Sequence, residues 1–542
     1  MQTQTINPRG LFNFNTAQTS LNPGSGGVAP KTGLVNNMAS FLLDQPSDGG
    51  RDIAAYYPAL RGHQLFLFVQ DKWQVSSKLT LDFGLRWEFY PPPTPAFPGG
   101  FSNYNPANNT LVMAGIGSNP MNLGMQKNWK YFAPRLGISY RLNNATVIRA
   151  GFGVSYTPFP DNSYAYNFPV KQNNQYSLGA NAYAPGVTPA GVFSMATGFP
   201  APQLAVIPSN GIITNPSLTQ SNIVIPLTYK NPNVQSWNVS IQRSLPLHFT
   251  LDVAYVGNHG VRTSATYNLN VPTTADQMGL GVNGRPEYQQ FKRTADSTLY
   301  FAGYSSMYNG LQVKLNRRFH NGLAITTAYT MARGMSFQTG DDGNLWNYIN
   351  PRRSYARTDF DRHQTFVQSY VYDLPFGVGR KWLNHGLAAK TIGGWQINSI
   401  ITLMTGTPFT FGANGSALNT PGASQTADQV APVTKLYGIN TPSKGGSPWF
   451  SMASFAQPTG VRFGSSGRNT LSGPNFFNAD LSIFKIFNFT EKMKMEIRGE
   501  SFSVTNTAQF NNPTADVSNA NYGYITGAGG GRGMQLGAKI SF

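Results

Sequence analysis

The last nine residues of the chain, Met534 to Phe542, follow a strict two-residue period. Met534, Leu536, Ala538, Ile540 and Phe542 share one parity, and Gln535, Gly537, Lys539 and Ser541 share the other. Successive side chains of a strand point to opposite faces, so this period predicts a β-strand with one apolar and one wet face. Lys539, in the middle of the wet face, excludes burial on both sides. A tilted strand of about nine residues is also long enough to cross a bilayer. Two architectures use such a strand: the edge of a soluble sandwich and the wall of a transmembrane barrel.

The same unit recurs upstream. In Gln64 to Tyr90, two arms meet at Ser76-Ser77-Lys78. Leu79, Leu81, Phe83, Leu85, Trp87 and Phe89 of the second arm alternate with Thr80, Asp82, Gly84, Arg86, Glu88 and Tyr90, until Pro91-Pro92-Pro93 stops the strand. Soluble strands usually run about five or six residues, so the length favours a wall. Comparable hairpins are expected at 132–142 with 146–156, 235–245 with 249–257, 311–319 with 323–332, 364–374 with 395–404, and 479–487 with 493–504. Asn321-Gly322 is a strong hairpin turn signal. Residues 1–63 are rich in Gly, Pro, Asn and Ser and read as loop, with one short strand expected at Met38 to Asp44. That makes about 14 strands, in a loop-rich segment 1–63 followed by a barrel unit 64–542.

The connections alternate as well. Short turns follow the strands ending near 75, 142, 245, 319 and 487, whereas long Gly/Asn/Pro/Ser-rich segments such as 157–233, 258–309 and 406–477 follow the others. Long loops without structure are uncommon in a soluble domain. Short turns at one rim and long loops at the other are the pattern of an outer-membrane barrel. The expected fold is therefore an antiparallel transmembrane β-barrel with short periplasmic turns and long extracellular loops.

Composition agrees. Charged residues are 11% of the chain, against about 25% in soluble domains. Aromatics reach 13%, as suits a surface that meets lipid. Mean hydropathy is −0.27 and no long apolar run exists, so membrane-spanning helices are excluded and a closed sheet is the remaining way to cross. The net charge of +18 is spread singly along the chain, without the dense basic runs that nucleic acid would select. Without cysteine there is no disulfide framework and no thiolate metal site. The opening M-Q-T-Q-T-I-N-P-R-G has no apolar core of a signal peptide, so an exported chain with this start reads as a fragment or a late-started frame. Trp73, Trp87, Trp237 and Trp395 fall on strands, where an interfacial girdle would place them.

Several stretches resemble TonB-dependent outer-membrane receptors. They are Leu67 to Phe89 (L-F-V-Q-D-K-W-Q-V-S-S-K-L-T-L-D-F-G-L-R-W-E-F), Phe132 to Tyr140, Trp237 to Pro246, Gly393 to Phe409 and the terminal strand. The similarity is greatest to the Oar-like branch, which carries a carboxypeptidase-regulatory-like N-terminal domain. It spans nearly the whole chain. It implies uptake of a bulky solute, a barrel of about 22 strands, an N-terminal plug and a box that contacts TonB. Plug and box are not recognisable in these residues, and Arg498 to Phe510 departs from the branch's E-x-F-N-L-F-N-x-x-Q-F pattern. The resemblance thus implies the C-terminal portion of a receptor barrel, engaged by TonB only through the missing plug. It also implies that Met534, Leu536, Ile540 and Phe542 form the C-terminal signal read by the barrel-insertion machinery, with outer-membrane lipid around them.

No catalytic motif was found: H-E-x-x-H, a P-loop, G-x-S-x-G and a cysteine pair are all missing. His63, His248, His259, His320, His363 and His385 are dispersed, and no metal or other cofactor is expected. Asp341-Asp342-Gly343-Asn344 offers loop oxygens to Ca²⁺ without the full EF-hand spacing. The candidate site is instead a polar wall facing the lumen: Asp82, Arg86, Glu88, Arg135, Arg141, Arg149, Lys314, Arg318, Lys494, Glu496, Arg498 and Glu500, all on wet parity. Such a wall could hold a plug or guide a solute, or simply line water by pairing charges across strands. Two alternatives to transport stay open: a surface adhesion or assembly protein that uses its outer loops, and a lipid hydrolase, for which no Ser/His pair can be nominated.

Overall fold

The computed structural model describes residues 9–15, 19, 33–54, 59–159, 167, 170–177, 194–199, 206–218, 220–338, 345–418, 425–439, 441–490 and 492–542. Its frame is one antiparallel sheet of thirteen strands in series. They are β1 (Leu65–Gln74), β2 (Leu79–Phe89), β3 (Tyr131–Asn143), β4 (Thr146–Tyr156), β5 (Asn233–Leu245), β6 (Phe249–Asn268), β7 (Ser297–His320), β8 (Leu323–Ser336), β9 (Gln364–Asp373), β10 (Trp395–Met404), β11 (Phe476–Asn488), β12 (Lys494–Phe502) and β13 (Gly533–Ser541). Each pairs with its predecessor and its successor in the chain. Two short strands, Asn222–Val224 and Ala356–Arg357, join the sheet off this path, against β7 and β8. Among the described residues β1 and β13 form the two free edges.

The turns follow from local chemistry. Asn321 and Gly322 link β7 to β8 with φ of 51° and 78°, the left-handed pair that a two-residue hairpin needs to match strand twist. Short links also join β1 to β2, β3 to β4, β5 to β6 and β11 to β12. The exception at this rim is 374–394, between β9 and β10, which contains a helix at Gly386–Ile392. At the other rim the connections are long, as the sequence predicts.

Three expectations need correction. Met38 to Asp44 is not a strand: Gly33–Leu42 forms helix α1, and among the described residues the sheet consists of the thirteen strands in series and the two short ones off that path. The segment 258–309 is not simply loop. β6 runs on to Asn268 and β7 starts at Ser297, with a bulge at Arg262 (φ 59°) and two short helices between, α2 (Ala275–Gly279) and α3 (Pro286–Phe291). Finally, the long connections are not structureless. Phe409, Phe411, Trp449, Phe450, Phe455, Tyr522 and Ile525 form a buried cluster drawn from the β10–β11 and β12–β13 loops. Phe101, Leu123, Met125, Ile225 and Tyr229 form a second, drawn from the β2–β3 and β4–β5 loops. Tyr104, Leu111 and Val224 form a third.

The buried apolar core thus sits in the outer loops, beyond the wall. A one-layer sheet has no second layer to bury its apolar face against, so that face stays open. Val239 and Ile241 are each 48% exposed, and Phe132, Leu136, Phe152, Leu311 and Met331 are exposed too. Such a continuous apolar surface needs lipid to cover it. The segment before β1 belongs to the outer layer. Leu11–Asn13 pairs with Asp48–Ala54, which pairs with Lys171–Ser177 of the β4–β5 loop. Leu60 and Arg61 pair with Pro95 and Thr94 beyond β2.

Candidate functional site

Residues paired directly across two strands share a face, so the register carries one face around the sheet. Lys72 lies opposite Asp82, Asp82 opposite Gly137, Gly137 opposite Gly151, Gly151 opposite Asn238 and Asn238 opposite Val256. The same face continues through Asp252 opposite Lys314, and at the far end through Glu496 opposite Lys539. Asp82, Arg86 and Glu88 of β2 lie on this polar face. So do Arg135 and Arg141 of β3, Arg149 of β4, Lys314 of β7, and Lys494, Glu496, Arg498 and Glu500 of β12; Arg318 has the same parity on β7 but falls in the irregularity between Arg317 and His320.

Within the face the charges form local sets. Arg86 Nε lies 3.1 Å from Glu88 Oε1, and its guanidinium stacks 4.3 Å over the Phe66 ring. Glu88 also accepts a 2.6 Å bond from the Tyr90 hydroxyl. Gln70 donates to Asp82 at 2.8 Å, and Arg149 donates to Gln242 at 2.9 Å. Arg498 sits between Glu496 and Glu500, at 3.9 and 3.8 Å, and Gln535 of the edge strand β13 donates to Glu500. Arg135, Arg141, Lys314, Arg318 and Lys494 enter no ion pair among the described residues. The twelve residues comprise eight cations and four carboxylates, so the face carries an excess of positive charge.

The apolar face holds the four tryptophans. Trp73 and Trp395 lie near the short-turn rim, and Trp87 and Trp237 toward the long-loop rim. Eight residues separate Trp237 from the end of β5, a height of roughly 20 Å for a tilted strand. Met534, Leu536 and Ile540 share this face, 75%, 91% and 60% exposed, with Phe542 just past the end of β13.

At the outer mouth, sequence periodicity gave no warning of what the loops build. Arg468 is 3% exposed, and its guanidinium donates to the carbonyls of Gln338, Ser336, Ala356 and Arg357. It thereby ties the β10–β11 loop to the top of β8. Beside it, a cavity of about 490 Å³ is lined by Asn258, Ser306, Tyr308, Thr330, Thr358, Asp361 and Arg362. Asp361 Oδ1 accepts from the Gly334 amide at 2.8 Å, while Asp361 Oδ2 and Thr358 Oγ1 are buried without a hydrogen-bond partner. Buried polar atoms left unpaired are costly, so this lining is chemically prepared to bond a polar guest or water. Arg362, which donates to Thr405 O at 2.6 Å, adds a cation at its edge.

Two carboxylates in the outer loops titrate in opposite senses. Glu287 lies in a buried set: Arg293 Nε is 3.3 Å away, and the hydroxyls of Ser297 and Tyr104 donate at 2.5 and 3.4 Å. Burial raises its pKa above the ordinary carboxylate value, and these partners only partly offset that. Asp428 is held below the ordinary value, chiefly by hydrogen bonds from Arg462 at 2.6 and 2.9 Å.

Among the described residues no group of three or more His, Asp or Glu side chains is placed to hold a metal. The candidate Ca²⁺ loop Asp341 to Asn344 lies outside the described residues. The rings of His248 and His320 lie 4.0 Å apart, tilted at 45°, at adjacent hairpin ends, without a third ligand among the described residues.

A single-layer antiparallel sheet, apolar on one face and charged on the other, defines a β-barrel membrane protein, and the family match agrees. Residues 1–535 match the family described as outer membrane beta barrel domain, so the chain belongs to that family and its place is the outer membrane. No curated protein matches it. Among solved structures it is similar to the ferripyoverdine receptor of Pseudomonas aeruginosa, at 11% identity and a TM-score of 0.41, covering 92% of this chain and 39% of that one. The siderophore receptor PirA of Acinetobacter baumannii gives 11% identity and a TM-score of 0.40, covering 88% and 45%. The outer membrane transporter YddB of Escherichia coli gives 8% and 0.44, covering 91% and 55%. The chain therefore spans less than half the length of the first two receptors.

Proposed function

We propose that these residues are the wall and outer mouth of a TonB-dependent receptor of the Oar-like branch, which takes up a bulky solute without bond chemistry. The observation that carries the reading is the polar face. Its unpaired cations, Arg135, Arg141, Lys314, Arg318 and Lys494, are free to hold a plug or to lead an anionic solute through the lumen. The cavity at the outer mouth, with Asp361 and Thr358 in its lining, is where a solute would be met first. TonB acts on this barrel only through a plug domain supplied outside the wall described here. The solved receptors for ferripyoverdine and other siderophores are consistent with such a task.

The test is a whole-cell assay with candidate solutes. Transport requires accumulation that disappears when TonB is removed and falls when Lys314 and Arg318 are both replaced by Gln. A second reading, surface adhesion or assembly, is favoured by the packed aromatic core of the outer loops, which gives them a fixed shape. Binding of a matrix or a neighbouring cell that survives loss of TonB, without accumulation of any solute, would replace the transport reading by this one.

A further inference from the structure

The connection between β9 and β10, residues 374–394, differs from its neighbours at the short-turn rim in length and surface. It folds on itself. The Gly377 amide donates to Trp382 O and the Trp382 amide to Pro375 O, each at 3.0 Å, and Phe376 packs on Trp382 with centroids 5.7 Å apart. Its two ends cross at Gly377 and Gly393, where a Cβ on Gly393 would come within 2.2 Å of Gly377 Cα.

Lys485 shows on which side of the wall this segment lies. It sits on the apolar face of β11, directly opposite Trp395. A lysine there would be costly in lipid, yet it is only 3% exposed. Its ammonium lies 4.7 and 5.8 Å from the rings of Phe487 and Trp395 and donates at 2.7 Å to the carbonyl of Thr391. That carbonyl is in the last turn of helix α4 (Gly386–Ile392), where backbone acceptors lack helical partners. The helix end therefore covers the outer, apolar side of the wall.

The segment turns large apolar side chains outward beside the exposed Arg380, Lys381, Asn384 and His385. Leu387 is 81% exposed, Val378 72%, Ile392 53%, Trp382 50% and Leu383 49%. The stretch 374–394 contains Arg380, Lys381 and Lys390 and no Asp or Glu. The same rim carries further exposed apolar side chains at Leu247, Phe319 and Phe489, so the patch continues the lipid-facing belt. We infer that residues 374–394 lie flat in the periplasmic leaflet of the outer membrane. Leu387, Val378 and Trp382 enter the boundary between acyl chains and headgroups, and Lys381 meets the phospholipid phosphates. An amphipathic segment of this kind sinks about 5–10 Å into that boundary.

The chain has no cysteine, which makes the test direct. The full chain carrying Leu387→Cys is labelled with an NBD fluorophore and inserted into vesicles of phosphatidylethanolamine and phosphatidylglycerol. Ile241→Cys in the belt and Lys444→Cys in an outer loop serve as references. The expected result is quenching by lipid-borne nitroxide at least about fivefold stronger than for the Lys444 probe, greatest with the nitroxide near the top of the acyl chain. Quenching by aqueous iodide equal to that of the Lys444 probe, with no response to lipid-borne nitroxide, would overturn the inference and place the segment in the periplasm or against a periplasmic protein. If Leu387→Cys fails to give the heat-modifiable folded band, Val378→Cys reports from the same surface, and the same two outcomes decide. Neither outcome depends on whether the barrel transports a solute.

Discussion

Val239 and Asn238 are neighbours on β5 that face opposite sides of the wall, and replacing each by arginine separates a lipid-embedded sheet from a soluble one. Both side chains are exposed in the structure. Val239 lies between Ala150 and Tyr255, and Asn238 between Gly151 and Val256, so neither replacement meets a charged cross-strand partner. In water the two variants would differ little. Six residues separate Val239 from the end of β5 at Leu245, which puts it roughly 15 Å above the rim. That is close to the middle of an apolar band about 25 Å tall. Arginine at the midplane costs about 2–4 kcal/mol, a factor of roughly 30 to 1,000 in the folding equilibrium. Asn238→Arg enters the polar side and should stay within about 1 kcal/mol of the parent. The assay is reversible guanidinium unfolding in phospholipid vesicles, followed by tryptophan fluorescence. Equal losses for the two variants, or a larger loss for Asn238→Arg, would refute the assignment of faces.

Other consequences can be checked in the same preparation. Arg468→Met removes the guanidinium that bonds the carbonyls of Ser336, Gln338, Ala356 and Arg357; cleavage by trypsin within 337–363 and 406–475 should rise several-fold, with the heat-modifiable migration of the barrel unchanged. The two perturbed carboxylates predict opposite pH responses, measured by hydrogen exchange. The pKa of Glu287 is raised on folding, so its contribution is full below the ordinary carboxylate pKa and is lost as pH rises through the raised folded value; the 269–296 loop should exchange faster above that range, and Glu287→Gln should remove the change. The pKa of Asp428 is lowered, so its contribution is present above the ordinary value and is lost as pH falls through the lowered one; exchange near 425–439 should quicken in acid, and Asp428→Asn should abolish that dependence. Gly393→Ala places a methyl group against Gly377 Cα and the Ala389 carbonyl, at 2.2 and 2.3 Å; the 374–394 segment should become protease-sensitive while the wall keeps its stability in denaturant.

Each of the thirteen strands in series is signalled in the sequence by the alternation of a strand with one face in lipid and one in water, although the alternation marks only 249–257 of β6 and 311–319 of β7. The same parity nominates the twelve charged residues as one face, and the cross-strand register carries that face through Asp82, Arg135, Arg149, Lys314 and Glu496; that it lines a lumen belongs to the proposed function. Periodicity is a local signal, and it failed where structure depends on distant parts of the chain. The outer-loop core joins Phe411 to Phe450, Phe455 and Tyr522, across more than one loop, and none of these aromatics sits in an alternating stretch. Arg468 is one scattered arginine among many in the sequence, and its hydrogen-bond acceptors lie more than a hundred residues away. The short apolar run at Met38 to Leu43 has no period that tells strand from helix. Ala, Met and Leu, with no β-branched residue among them, leave helix as the better local choice there. Ser40 then locks it, donating to Asn15 O at 2.9 Å.

The number thirteen has a consequence of its own. Strands in this sheet alternate in direction, so with an odd count the first and the last, β1 and β13, both run from the long-loop rim to the short-turn rim. Joining these two edges would create a parallel pair. Two copies of the sheet placed edge to edge around an axis along the membrane normal would create two such pairs, for the same reason. An all-antiparallel closure between these two edges would take an odd number of further strands, the first and last both rising toward the long-loop rim. For the thirteen strands of the described residues, parity alone thus puts a parallel seam into self-closure and into a symmetric two-copy barrel, before any side chain is considered.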